Sequence, residues 1–106
     1  MAAAKTAQWI AQFDCAPLGD RPRRFDAIVI AAGDKFELRR RHPVQGGWTR
    51  MSGARDSDGR LRLSGEFVSS RGKPTEVIFD GRFTAERYEA AGRFGSRDCT
   101  LSIAHG

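Results

Sequence analysis

The chain has no asparagine, one tyrosine, two histidines, two cysteines and three lysines, set against fifteen arginines. These scarcities exclude whole classes of function. Cys15 and Cys99 stand 84 positions apart with no C-x-x-C spacing, and the histidines are only His42 and His105, so nothing resembles the ligand set of a resident metal. No apolar run approaches the ~18 residues of a membrane span, and the start, MAAAKTAQW, lacks the apolar core of a signal peptide. The chain reads as soluble. Its small residues before Lys5 fit either the remnant of a trimmed leader behind an added Met or a native cytosolic start. G-x-S-x-G is missing, and Gln45-Gly46-Gly47-Trp48 lacks the Lys-Ser/Thr that completes a phosphate loop. With no linker, low-complexity segment or heptad, residues 1–106 make one domain.

What the chain does have is a repeated short run of alternating apolar and polar residues bounded by turn signals, the pattern of an all-β meander. Gly33-Asp34 separates FDAIVIAA from KFELRR, and Asp58-Gly59 separates WTRMSGAR from RLRLSGEF. Asp-Gly is the dipeptide of two-residue type I′ hairpins, in which both central residues take positive φ. In RLRLSGEF, Leu61, Leu63, Gly65 and Phe67 share one face and Arg60, Arg62, Ser64 and Glu66 the other. Trp9, Ala11, Phe13 and Cys15 align likewise, as do Val77, Phe79, Gly81 and Phe83, and Cys99, Leu101 and Ile103. DAIVIAA is apolar on both faces, so one side of that strand is expected under a loop or a partner.

Residues 84–91 fit two periods. Their Ala, Glu and Arg favour a helix ended by Gly92, about eight residues long and marginal alone. As a strand, Tyr88, Ala90, Gly92 and Phe94 share a face behind a turn at 84–86. The strand is preferred because it completes a set of eight: 7–15, 25–32, 35–40, 48–53, 60–67, 75–83, 87–94 and 99–104. In an up-and-down meander of even number the first and last strands run antiparallel and can pair to close a barrel. Cys15 ends the first segment and Cys99 begins the last, both in phase with the apolar face, so that pairing brings the thiols together. A disulfide across the seam is expected ahead of two buried free thiols. It is worth about 4–5 kcal/mol by loop-entropy arithmetic, and it implies an oxidising compartment, a periplasm or the exterior. The expected fold is all-β, an antiparallel up-and-down eight-stranded barrel closed by first/last strand pairing.

Trp9-x5-Cys15, the central DGRLRLSGEF, the later FDGRF and the terminal Arg97-x-Cys99-x-Leu101 carry a family likeness. The chain resembles a group of small exported β-domains of alphaproteobacteria. Their pattern is W-x-G and a cysteine in the first strand, a G-x-x-x-L-x-G centre, an aromatic-x-G before a turn, and R-x-C-x-apolar in the last strand. Ala11 stands where the first-strand glycine is usual. The resemblance implies a β-domain and periplasmic or secreted localisation; it brings no catalytic residue and no activity. The expected barrel is also similar in general shape to the calycins, including avidins, lipocalins and bacterial inhibitors of c-type lysozyme. Gly72-Lys73-Pro74 is an ordinary turn and supplies no inhibitory-loop motif.

The net charge of +5 is concentrated, since residues 21–62 hold ten arginines and Lys35 against five acids whereas 63–106 are balanced. Arg21, Arg23 and Arg24, then Arg39, Arg40, Arg41, Arg50, Arg60 and Arg62, interleave with Phe25 and Trp48 in this region. Guanidinium groups bind carboxylate and phosphate bidentately and stack on aromatic planes. The candidate partner is therefore an anionic polymer, a lipid head group or an acidic protein, and the candidate contacts are Arg39, Arg40, Arg41, Arg50, Arg60, Arg62 and Trp48. The bland reading is a solvated strand face in a chain whose arginine excess and missing asparagine follow G+C-rich codons. Nucleic acid is disfavoured because most aromatics fall in phase with the inward face. Those rings (Trp9, Phe13, Phe36, Phe67, Phe79, Phe83, Tyr88, Phe94) fill a core, or alternatively line a pocket for a small hydrophobic ligand.

No cofactor and no catalytic residue is expected. His42, in RRRHPVQGGW, reads as a surface-loop histidine held extended by Pro43 and kept from protonation by the arginines before it. Asp56/Asp58 and Glu86/Glu89 sit at turn positions where carboxylates serve local hydrogen bonding. The sequence points to a non-enzymatic exported binding module of open specificity.

Overall fold

The computed structural model describes residues 6–17, 23–42 and 46–105, with the backbone alone at His105; Arg21, Pro43 and Gln45 lie outside the described residues. Eight strands follow one another: β1 (Thr6–Cys15), β2 (Arg24–Ala32), β3 (Lys35–Arg41), β4 (Trp48–Ala54), β5 (Arg60–Val68), β6 (Pro74–Thr84), β7 (Arg87–Phe94) and β8 (Arg97–His105). Each is antiparallel to the next, and β8 pairs with β1, so the sheet closes into an up-and-down barrel. The ambiguous segment is strand β7. Flanked by β6 and β8, it gains a backbone ladder on both edges, which an isolated eight-residue helix lacks.

Alternation along every strand sorts the side chains. Trp9, Phe13, Val29, Phe36, Leu38, Met51, Leu61, Leu63, Phe67, Val77, Phe79, Phe83, Tyr88, Leu101 and Ile103 form one buried cluster, with Phe25 and Phe94 packed against it. Apart from Arg40 and Arg97, at one end of the barrel, the charged residues of the strands point outward, the inverse of the polarity of a lipid-embedded barrel. The interior fits because large inward residues face glycines on the neighbouring strand: Phe36 faces Gly53, Met51 faces Gly65, Leu61 faces Gly81 and Phe79 faces Gly92. At Gly65 the approach is so close that a Cβ would lie 1.9 Å from the Arg50 carbonyl oxygen. Tyr88 is fully buried, and its hydroxyl donates to the Leu61 carbonyl at 2.7 Å, a bond across the interior that satisfies its one polar atom.

The turns are set by local chemistry. Gly33, at φ +62°, opens the two-residue loop to β3. The Asp58-Gly59 loop differs from the expected two-residue turn: β4 ends at Ala54 and β5 begins at Arg60, and only Gly59 takes positive φ, at +82°. The reason is Asp56. Its Oδ1 accepts the amides of Asp58 (2.9 Å) and Arg60 (3.0 Å), and its carbonyl accepts the Gly59 amide at 3.1 Å, which stabilises a longer turn with glycine at its left-handed position. Between β6 and β7, Ala85 takes φ +56°, a position that favours glycine.

At the seam, Cys15 lies opposite Cys99 with Cα atoms 4.0 Å apart, and the two form a disulfide. Arg97, two residues before Cys99, donates through Nε to the Ala16 carbonyl at 2.6 Å, and the Ala16 amide donates to the Asp98 carbonyl at 2.8 Å. The Arg-x-Cys spacing thus ties the start of β8 to the chain just beyond β1.

Two outcomes follow from this geometry. Cys15→Ala/Cys99→Ala should lose about 2–4 kcal/mol in urea unfolding, and the intact oxidised protein should gain two hydrogens on reduction. Ala85→Gly should raise stability by about 0.5–1 kcal/mol, because the left-handed backbone costs an alanine more than a glycine; an unchanged midpoint would show that the turn carries no strain.

Candidate functional site

Strand phase splits the arginine-rich region into parts with different roles. Lys35, Glu37, Arg39 and Arg41 point outward from β3, as do Trp48 and Arg50 from β4. Arg39 lies opposite Arg50, and Arg41 opposite Trp48. Arg39 Nε donates to Glu37 Oε1 at 2.7 Å, and the Arg50 guanidinium lies over the Trp48 ring, 5.0 Å from its centroid. Among the described residues no ion pair engages Arg41 or Arg50. Arg60 and Arg62 leave this group. They point outward from β5, where Arg60 faces Arg82 and Arg62 faces Asp80 on β6. Arg23 and Arg24 both bind the Asp14 carboxylate, at 3.1 and 3.2 Å, and the Arg23 hydrogen bond is the main influence holding that carboxyl below its ordinary range.

Arg40 is the exception in the Arg39–Arg41 triplet. It follows Phe36 and Leu38 in the inward phase, lies over the Phe25 ring at 4.8 Å, and donates to the Asp26 carbonyl. At the opposite end of the barrel Arg55 lies over Phe83 at 4.5 Å. Each of these guanidinium groups closes an aromatic end of the core by stacking, a cation–π contact worth about 0.5–2 kcal/mol.

His42 continues the inward phase and is buried, with 8% of its surface exposed, which corrects the surface-loop expectation. It sits among Phe67, Phe25 and Phe94, with ring centroids at 4.8, 6.2 and 6.2 Å. Its Nε2 is 2.6 Å from Thr49 Oγ1, and Arg40 Nε points at Nδ1 from 3.4 Å. With Nδ1 accepting, the proton belongs on Nε2, which donates to Thr49. Burial first, and the Arg40 charge second, lower the imidazole from 6.5 to about 4. This is the reverse of nucleophile activation. A catalytic base needs a raised basicity and a carboxylate behind it; here a guanidinium stands in the carboxylate's place and the hydroxyl is buried.

One carboxylate of each candidate pair has a local partner. Asp56 organises its turn, Glu89 pairs with Arg87 at 3.1 Å, and Asp98 lies 3.7 Å from Arg93. A shallow groove of about 640 Å³ on the outer wall, bordered by Asp14, Arg24, Asp80, Arg87 and Glu89, carries both signs of charge. Among the described residues no group of three or more His, Cys, Asp or Glu side chains is placed to hold a metal ion, and no helix is long and apolar enough to cross a membrane.

Comparison with protein-family models, with curated proteins and with solved structures gave no significant match. Sequence reasoning missed the His42–Thr49 pair. The available signal was phase, since Phe36, Leu38, Arg40 and His42 fall on alternate positions of one run.

Because the folded value of His42 lies below the unfolded one, its stabilising contribution is complete above pH ~6.5 and is lost as pH falls toward 4. Urea unfolding should show on the order of 3 kcal/mol of destabilisation across that window, and His42→Gln should flatten it. An imidazole seen by NMR to titrate near 6.5 would contradict the buried, neutral assignment.

Proposed function

We propose that the protein is a non-enzymatic binding module working outside the cytoplasm, and that the outward face of β3 and β4 is its contact surface for an anionic partner. The observation that carries this reading is the outward cluster of Arg39, Arg41 and Arg50 around Trp48, in which Arg41 and Arg50 form no ion pair among the described residues although Glu66 lies opposite Arg50 on β5. Guanidinium and indole together offer charge, bidentate donors and an apolar plane, the combination found where anionic partners dock. The packed aromatic interior, with Trp9–Phe83 at 5.8 Å, Phe36–Phe83 at 5.2 Å and Phe13–Phe79 at 5.4 Å, favours the outer wall over an interior chamber for a hydrophobic ligand. A disulfide across the seam is the support for an oxidising compartment, in keeping with the likeness to small exported β-domains.

The test is salt-dependent retention on immobilised heparin. Arg39→Gln/Arg41→Gln/Arg50→Gln removes three exposed ionic contacts of about 0.5 kcal/mol each and should weaken binding roughly tenfold at low ionic strength. A charge-matched control, Arg71→Gln/Arg82→Gln/Arg93→Gln, should elute close to wild type. Arg40 is left alone because its loss would uncap the core. Equal losses in the two triple variants would mean that net charge, not this face, does the binding.

A further inference from the structure

Among the described residues, Ile10, Ile28 and Ile30 are the exposed large aliphatic side chains of the outer wall, at 49%, 50% and 40%, and Trp48 is exposed by 36%. The isoleucines form one patch: Ile10 lies opposite Ile28 across β1 and β2, and Ile30 is the next outward residue of β2. The patch runs directly into the arginine face, because Ile28 lies opposite Arg39 on β3 and Arg39 lies opposite Arg50 on β4. This is the second apolar face of DAIVIAA, and it stands open to solvent.

We propose that this wall docks on an anionic phospholipid surface, the isoleucines entering the boundary between head groups and acyl chains while Arg41 and Arg50 take lipid phosphates. The inference rests on the reading of the β3–β4 face as an anion contact and names its partner. Three features select a bilayer. The closed barrel has no free strand edge for an extended peptide to join. The isoleucines stand on the convex outside of a barrel wall, where a fluid interface moulds around protruding side chains. Trp48 and Arg50 lie two strands away from Ile28, roughly 10 Å around the curve at the usual strand spacing. That is where an indole and a long guanidinium side chain would meet the head groups as the isoleucines go deeper. The acids nearest this wall are Glu37, opposite Ile30 and held by Arg39 at 2.7 Å, Asp26, further along β2, and Glu66, opposite Arg50 on β5.

Two tryptophans of opposite exposure make the experiment local: Trp9 is buried and Trp48 is exposed. Purified protein is mixed with vesicles of phosphatidylcholine, with and without phosphatidylglycerol, and followed by co-sedimentation and tryptophan emission. The expected result is binding to the anionic vesicles with a blue shift that Trp48→Phe abolishes. Ile10→Ser/Ile28→Ser, at exposed positions that leave the core intact, should weaken partitioning about tenfold or more. Arg41→Gln/Arg50→Gln should remove the preference for the anionic lipid. Vesicle binding indifferent to the isoleucine variant would overturn the proposal and leave a purely Coulombic surface. So would a dimer in sedimentation equilibrium that the isoleucine variant dissolves, which would make the wall an interface between copies. Heparin retention without vesicle binding would refute the bilayer alone; loss of both would remove the anion-contact reading with it.

Discussion

The pairing of β1 with β8 is the constraint on which the rest of the structure depends. A meander of eight strands has two free edges until its ends meet, and each free edge is a row of unsatisfied backbone groups open to any passing strand. Closure satisfies both and defines an inside and an outside for every alternating residue. Phe13 reaches Leu101 and Ala11 reaches Ile103 across the seam, so it is as apolar within as any other pair of neighbours. The Cys15–Cys99 bridge then fixes the register at one end of that ladder. A slip of β8 by one residue would turn Cys99, Leu101 and Ile103 to the solvent side and part the two thiols.

Closure has a cost in shape that the glycines and arginines absorb. A barrel this narrow brings neighbouring strands close enough that a methyl group at Gly65 would meet backbone, and the large residue facing each inward glycine takes the volume released. The ends of the cylinder are finished differently. Rings at Phe25 and Phe83 would meet water if nothing lay over them, and Arg40 and Arg55 cover them with flat, weakly hydrated cations. Beneath Arg40, His42 and Thr49 satisfy each other, so a polar pair can stay in an aromatic layer at neutral pH without a stranded donor.

Arginine therefore does several jobs in one chain. Arg97 anchors β8, Arg23 and Arg24 share Asp14, Arg40 and Arg55 cap the core, and Arg41 and Arg50 stand outward, with Glu66 opposite Arg50 on β5 but not ion-paired to it. The last group is the basis of the proposed function, which puts the contact surface on the outer wall of the barrel. On that wall, the apolar patch of β1 and β2 and the cations of β3 and β4 are neighbours.

The fold was legible in the sequence because alternation with a period of two is a local property, and eight such runs separated by turn residues admit few arrangements. Cys15 and Cys99, in phase at the far ends of the first and last runs, were enough to indicate closure. The turn at Asp58-Gly59 was located but its type was not, since the deciding bonds come from the Asp56 side chain and not from the dipeptide. The candidate site was only half legible. Arg39, Arg40 and Arg41 are consecutive letters of one chemical kind, yet the pleat sends Arg40 to the core end and its neighbours to solvent. Likewise Arg60 and Arg62 belong to the same charged stretch but lie on β5, facing Arg82 and Asp80. Local pattern determined which residues are strands and which face they share. Only the closed barrel decided which faces meet, because contacts across a cylinder join residues that no spacing along the chain connects.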